Sequence, residues 1–437
     1  MKINRSKLYL VIVLGIVLFY IASLVRFSHT VHPFPVMVSD STEYAQLAQN
    51  ILTNHVFSLS QHAPFNPETF RTPGYPLFIA VILILFRAYF AVSIVQIVLT
   101  FCTAFLIYRM MQRFVSETWA FFAAVLYLVE PMVMAYSLIV LSDIPFVFLL
   151  VSIVYVFFFS ARNTKNFFFA GLICGFSILV RPLAVLFPLV IVGWEVLCMN
   201  RKEVRKVAIL LGAFICGVML VVSPWLIRNK IETNAWGISS LGPSNLLYSN
   251  LIPYLAARDH LSEAAVEQKI YQENGSLGDP RSLANSSKIT NVSLRYLKQD
   301  PFGYARYHIV ETAPLFLASS LKEFVKLWSG TVGEYTANPN LSRLLFQGKF
   351  SGVWEALKQQ GIYTFEKFVW LGIVIVGLFS LADRKHRRMV VFFCVVILYF
   401  ALATGPVSNT RYRLPLEPFL FMLAVMGASN LYAIKRT

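Results

Sequence analysis

Residues 8–26 read LYLVIVLGIVLFYIASLVR, an apolar run closed by Arg26 and preceded by Lys2, Arg5 and Lys7. A helix needs about 20 such residues to cross the hydrocarbon of a bilayer, so this run is long enough to span. It is longer than the apolar part of a secretory signal, and no A-x-A site follows it, so it reads as a retained anchor. The rest of the chain agrees. Of its 437 residues, 57% are hydrophobic and 14% are charged, where a soluble chain holds about 45–50% and about 25%. That balance excludes disordered, collagen-like and soluble multidomain readings. Further spans are expected near 90–109, 118–137, 144–160, 167–180, 181–199, 207–227, 365–382, 389–404 and 416–433. The fold class is an all-α polytopic membrane protein of about ten transmembrane helices.

The stretches 167–180 and 181–199 share one apolar run split at Arg181-Pro182. Proline removes a backbone donor and steers the preceding residue out of helical geometry. The expected form is a helix that climbs part-way, breaks and returns. Such breaks are tolerated at membrane depth only where the backbone is buried or lines a cavity.

The net charge of +16 would suggest nucleic acid in a soluble chain. Here it sorts by membrane side. Lys2, Arg5, Lys7, Arg109, Arg113, Arg162, Lys165, Arg201, Lys202, Arg205, Lys206, Arg384, Lys385, Arg387, Arg388, Lys435 and Arg436 fall on one side. The short segments opposite hold only Arg26, Arg71, Arg87, Arg411 and Arg413. The positive-inside rule places the first side, with both termini, in the cytoplasm of a multi-pass cell-membrane protein. The charge is then a topology signal, and no nucleic-acid partner is expected. Two longer segments lie outside, 27–75 and 231–363. Within the second, 301–328 is partly apolar; parity favours its lying along the outer surface over an extra span. Cys102, Cys174, Cys198, Cys216 and Cys394 lie in apolar runs without paired spacing and read as small core residues, not a disulfide framework or zinc site.

The first external loop carries the chemistry. From Tyr44, apolar residues recur at Leu47, Ala48, Ile51 and Leu52, one face of a short amphipathic helix on the outer membrane surface. Asp40 stands just before it with Glu43 three residues on, a capping-box pattern. Asp40 is therefore read both as an N-cap and as a carboxylate held at the mouth of the bilayer; the two roles are compatible. Next, Phe70-Arg71-Thr72-Pro73-Gly74-Tyr75-Pro76 precedes an apolar stretch to Phe86. Thr-Pro starts a helix too short to span, a second interfacial helix with Arg71 facing the headgroups or snorkelling to them.

Asp40-Ser41-x-x-Tyr44 with Leu47-Ala48-x-Asn50, then Arg71-Thr72-Pro73-Gly74-Tyr75-Pro76, resembles the first external loop of GT-C glycosyltransferases. The similarity points to the dolichyl-phosphate-mannose protein mannosyltransferases and the aminoarabinose transferases. It continues through Leu141-Ser142-Asp143, Val180-Arg181-Pro182, Pro224-Trp225-Leu226-Ile227-Arg228-Asn229 and Arg411-Tyr412-Arg413-Leu414-Pro415. The resemblance implies a GT-C-like transmembrane module over 1–230 with a catalytic loop at 27–75. An extracytoplasmic region with surface helices over 231–363 and C-terminal transmembrane helices over 364–437 complete the expected organisation. It implies a polyprenyl-phosphate-linked sugar donor, an acceptor bound from the outer face, Asp40 as catalytic base and Asp143 as a second catalytic acid. Where the aminoarabinose branch has Glu-Lys before the Thr-Pro position, a candidate metal and phosphate contact, this chain has Phe70-Arg71. No metal-binding residues are nominated and a divalent metal is left open; the spacing of His29, His32, His55 and His62 matches no tight site.

Transfer from a sugar–phosphate–lipid needs a base for the acceptor proton and cations for the phosphate charge. A single displacement would invert the anomeric centre. Tyr44, Arg71, Arg181, Arg228, Arg411 and Arg413 are the candidate substrate-binding residues. Arg181, inside an apolar run, faces a cavity or pairs with Asp143 or Glu130. Arg411 and Arg413, two apart in an expected extended loop, would point to one side as a phosphate clamp. The acceptor, whether lipid, polysaccharide or protein, is open. The alternatives are a transporter or flippase of a lipid-linked sugar and a non-catalytic assembly partner.

Overall fold

The structure is a computed structural model. It describes the chain except residues 1–4, 37, 330–343, 345, 347, 360, 407–409 and 435–437; Lys2, Lys435 and Arg436 of the charge count lie outside the described residues. Every regular element among the described residues is helical, and the chain is a multi-pass membrane protein.

The first spanning helix, α1, covers Arg5–Thr30. Two short helices of the first loop follow, α2 (Ser39–Thr53) and α3 (Gly74–Phe86), then α4 (Phe90–Met111). The expected continuous span at 118–137 is two helices instead, α5 (Glu117–Leu128) and α6 (Pro131–Leu138), bent by 53°. The cause is Glu130-Pro131. Proline at the first position of α6 leaves Glu130 extended, and the Glu130 carboxylate accepts from the Val133 amide at 2.8 Å. Next come α7 (Asp143–Phe159), α8 (Thr164–Val180), α9 (Phe187–Leu197) and α10 (Val204–Thr233).

The break at Arg181-Pro182 is as expected. Arg181 is extended between α8 and a turn of 3₁₀-helix over Pro182–Ala184. The chain then returns. Glu195, near the far end of α9, pairs with Arg162, just before α8, at 2.7 Å. The hairpin packs on α10 through small residues. A Cβ on Gly171 would lie 2.1 Å from the Phe214 carbonyl oxygen, and one on Gly217 2.4 Å from that of Phe168, the close backbone approach common between membrane helices.

The segment expected to lie outside holds α11 (Leu241–Asn245), a π-helical turn (Leu246–Leu251), α12 (Ile252–Asp259), α13 (Glu263–Asn274) and α14 (Ser286–Leu297). They enclose a separate apolar cluster that includes Leu251, Tyr254, Ile270, Ile289 and Tyr307. The stretch 301–328 is not one span. It divides into α15 (Pro301–Thr312), a 3₁₀ turn and α16 (Ser320–Ser329). Trp328 packs edge-on against Phe27 of α1 at 5.6 Å between ring centres, so α16 is held against the bundle. The chain continues through α17 (Phe350–Gln359), α18 (Ile362–Leu378), α19 (Arg387–Thr404) and α20 (Glu417–Ile434).

Each of the ten stretches expected to span is helical. By length and composition five described helices suffice to cross a bilayer, or six with the bent pair; the stretches at 144–160, 167–180 and 181–199 form shorter apolar helices. One contiguous core joins α1 through α10 to α18–α20.

One glycine sets the spacing between α3 and the end of α8. A Cβ on Gly74, at the start of α3, would fall 2.6 Å from the Leu179 carbonyl carbon and 2.7 Å from the Val180 amide nitrogen. Both are backbone atoms at the end of α8, so neither can rotate aside. This contact brings Arg71 and Arg181 into one neighbourhood. Gly74→Ala is expected to cost about 1–3 kcal/mol through overpacking and to lower the melting temperature in detergent. Gly15→Ala, where a Cβ would meet nothing within 4 Å, is the neutral control.

Candidate active site

The site grows from the start of α2. Val38 is extended and no side chain caps the helix; Asp40 lies inside the first turn. The expected capping box is therefore absent, because the helix begins two residues earlier than the pattern suggested, with Val38 rather than Asp40 as its cap. The Asp40 carboxylate is released for other partners while its charge still favours the helix N-terminus. The apolar face is as expected, with Tyr44, Leu47 and Ala48 buried. The Thr-Pro start of the next helix is also shifted by one: Pro73 is the cap residue of α3 and Gly74 the first helical one.

Four loops then converge. Arg71 donates from Nη2 to Asp40 Oδ1 at 2.6 Å and from Nε to Glu43 Oε2 at 2.5 Å. Arg411 donates from Nη1 to Asp40 Oδ2 at 2.6 Å, and its Nε and Nη2 lie 3.1 and 3.0 Å from Asp143 Oδ2. Arg181 pairs through Nη1 with Asp143 Oδ1. Thus Asp40, Arg71, Arg181, Arg411 and Asp143, far apart in sequence, form one continuous chain of charges. Asp143, at the start of α7, is fully buried at its floor, whereas the Asp40 side chain keeps 24% exposure at its rim.

Aromatic faces hold the guanidinium groups in place. Arg71 lies 5.2 Å from the centre of the Tyr44 ring, Arg181 5.8 Å from Phe146 and from Tyr412, and Arg411 5.9 Å from Tyr136. The Tyr44 hydroxyl is 3.4 Å from Ser142 Oγ, beside Asp143. Burial alone would raise the Asp40 carboxyl, but Arg411 and Arg71 outweigh it and hold the group down at about 2. Against the opposing effect of burial, Tyr44, Asp40 and Glu43 hold the Arg71 guanidinium above its usual range, and Asp143, Tyr136 and Asp40 do the same for Arg411.

Two of the expected binding residues are placed elsewhere. Arg228 donates to the carbonyl oxygens of Glu68 at 2.8 Å and Phe57 at 3.3 Å and stacks on Trp225; these contacts hold the 57–68 segment. Arg413 is fully buried. The Thr410–Arg413 segment is a 3₁₀ turn, not an extended loop, so residues two apart diverge. Arg413 points inward to Glu417 at 3.0 Å, the Ala318 carbonyl oxygen at 2.5 Å and Ser320, with its guanidinium 3.6 Å from the Trp370 ring centre.

Other participants carried no local signal. Glu68 accepts from the Phe70 and Arg71 amides at 2.5 and 3.1 Å and fixes the backbone that presents Arg71. Arg281, from the external region, pairs with Glu43 at 3.1 Å and stacks over Phe70 at 4.3 Å. Only its spatial position reveals it. Among the described residues no group of three or more His, Cys, Asp and Glu side chains gathers as metal ligands. The charges of Asp40 and Asp143 are matched by guanidinium groups of the chain itself, so this donor set does not fit a resident cation.

Two openings flank the cluster. An apolar cavity of about 560 Å³, lined by Ile51, Phe57, Pro73, Leu77, Leu179 and Trp225 among others, adjoins the turns that carry Arg71 and Arg181. A polar cleft of about 620 Å³ is lined by Glu68 and Arg281, with Ser60, Asn66, Asn234 and Asp279 also in its walls.

The helices among the described residues thus carry an arginine–carboxylate cluster at one end of a membrane protein. Residues 70–227 match the family model described as dolichyl-phosphate-mannose-protein mannosyltransferase. The match takes in Arg71, Asp143 and Arg181. The fold is similar to that of the oligosaccharyltransferase AglB from Archaeoglobus fulgidus, solved with an inhibitory peptide and a dolichol-phosphate. That likeness has a TM-score of 0.50 and 13% identity over 97% of this chain and 51% of that one. An apo form of the Archaeoglobus fulgidus oligosaccharyltransferase matches with a TM-score of 0.45 and 15% identity over 96% of this chain and 51% of that one. ArnT from Cupriavidus metallidurans, bound to undecaprenyl phosphate, matches with a TM-score of 0.40 and 13% identity over 95% and 78%. The chain spans about half the length of the archaeal enzymes, and at these identities the likeness is one of fold. No curated protein matches it in sequence.

Proposed function

We propose that this chain is an inverting glycosyltransferase that moves a sugar from a polyprenyl-phosphate donor to an acceptor at the outer face of the membrane. The observation that carries the reading is a rim carboxylate, Asp40, set between two arginines that share it with a buried anchor, Asp143. Asp40 takes the proton of an acceptor hydroxyl as its oxygen attacks the anomeric carbon. The bond from that carbon to the phosphate oxygen breaks, and the electron pair leaves with the lipid phosphate. Arg71, Arg181 and Arg411 meet the charge that develops there. One displacement inverts the anomeric centre.

Asp143 has both oxygens on arginines and no exposed surface. It serves by holding Arg181 and Arg411 rather than by meeting the acceptor. Tyr44 supports Arg71 from below. The apolar cavity suits the isoprenoid chain, and the polar cleft gives an acceptor its approach. The charge asymmetry supports cytoplasmic termini and an extracytoplasmic site, with 1–230 and 364–437 as the membrane module and 231–363 as its external cover.

The test offers the purified full chain a panel of radiolabelled polyprenyl-phosphate sugars with a crude membrane and envelope extract. Label should pass to an extract component with inverted anomeric configuration. Label that stays on every donor, or a product of retained configuration, would overturn the reading.

A further inference from the structure

As a base, Asp40 is engaged at both ends. Oδ1 accepts from Arg71 and Oδ2 from Arg411, each at 2.6 Å. Charge-assisted bonds of this length stabilise the ionised carboxylate, and a carboxylate so stabilised is a poor proton acceptor. Yet the two arginines are tied differently on their two edges. The Nε and Nη2 edge of Arg411 rests on buried Asp143, which Arg181 also holds. The Nε edge of Arg71 rests on Glu43, whose other oxygen is taken by Arg281. On each guanidinium, the nitrogen that bonds Asp40 is a different one from those that hold the second carboxylate.

We propose that the resting site is latched and that the donor opens it: the phosphate draws Arg71 Nη2 and Arg411 Nη1 off Asp40, and the freed carboxylate then becomes the working base. The inference rests on the transferase reading above and adds an order to it, with the donor bound before the acceptor is activated. Each arginine gives up one bond and keeps its anchored edge, so the exchange needs a small rotation rather than a loop movement. A phosphate brings several strong acceptor oxygens with its charge, so it replaces both bonds at once. The remaining charged and titratable groups stay in place: Glu43 on Arg71, Asp143 on Arg181 and Arg411, Arg281 on Glu43, and Tyr44 and Tyr136 against the guanidinium faces. With the two arginines withdrawn, the Asp40 carboxyl rises from about 2 toward its ordinary value of 3.8, and its burial pushes it further.

The test labels carboxyl groups. A water-soluble carbodiimide with an amine nucleophile reacts through the protonated acid, so at pH 5 the rate at Asp40 follows its protonated fraction, tenfold per pH unit. The full chain in detergent is labelled alone, with farnesyl phosphate, or with farnesol as the chain-only control, and Asp40 is read by peptide mass spectrometry. Binding of both lipids is measured separately by thermophoresis. Farnesyl phosphate is expected to raise labelling of Asp40 at least tenfold and farnesol to leave it unchanged. Arg411→Gln and, independently, Arg71→Gln are expected to label faster than the wild type without lipid; the variant with the native melting profile is the one read. Farnesyl phosphate that binds but leaves Asp40 as unreactive as before overturns the latch while the transferase reading stands. Failure of farnesyl phosphate to bind at all counts against both.

Discussion

Asp40→Asn is expected to lower sugar transfer by about 10²–10⁴-fold, the range set by removing a general base. The amide is isosteric with the carboxylate, and its oxygen still accepts one bond from Arg71 or Arg411, so the helix and its rim position survive. What is lost is the ability to take a proton, together with half of the charge balance at the rim. Steady-state rates on a saturating donor, alongside a melting curve in the same detergent, separate these effects. A variant that melts like the wild type and transfers at its rate would remove Asp40 from the mechanism. The arginines would then point to Glu43 as the next base to test, because it alone shares Arg71 while retaining exposure at the rim.

The largest effect on stability is expected at Asp143. The carboxylate is fully buried and neutralises two guanidinium groups that are themselves only 11% and 17% exposed. Asp143→Asn leaves those charges with an uncharged partner in a poorly solvated site, and breaking a buried pair in this way costs about 3–5 kcal/mol. Unfolding by denaturant in detergent, or the melting temperature, reads the loss directly. The double variant Asp143→Asn with Arg181→Gln should recover part of it, because one stranded charge is removed along with its partner. If both variants melt together with the wild type, the floor of the site contributes nothing to stability. Transfer should fall as well, since Arg411 then loses the edge that orients it toward Asp40.

Much of this arrangement is legible in the sequence because it rests on local rules. The apolar runs mark helices, the 3.6-residue spacing from Tyr44 marks the buried face of α2, and Arg181-Pro182 marks a break because proline cannot continue the helix. The sequence offers Arg181 two partners, Asp143 and Glu130; the structure pairs it with Asp143, while Glu130 caps α6 and approaches Arg413 at 3.7 Å. The illegible parts depend on geometry a linear pattern does not carry. A two-residue shift in the start of α2 decides whether Asp40 caps a helix or binds arginines. A tight turn in place of an extended loop sends Arg413 into the core while Arg411 reaches the site. Glu130-Pro131 did hold the signal for the bend between α5 and α6, masked by the apolar residues on both sides. Arg281 has no sequence signal at all; it reaches Glu43 because the external region folds back across the first loop.

The two helices that end at the floor are short. α7 and α8 have 17 residues each, about 25 Å of helix, against a hydrocarbon layer about 30 Å thick. Asp143 and Arg181, at their outer ends, would therefore lie a few ångströms beneath the headgroup plane rather than level with it. The neighbouring leaflet thins or water follows the charges inward. Either response would make a dimple, in which, on the transferase reading proposed above, a donor phosphate would descend to the arginines while the sugar it carries stays at the wet surface.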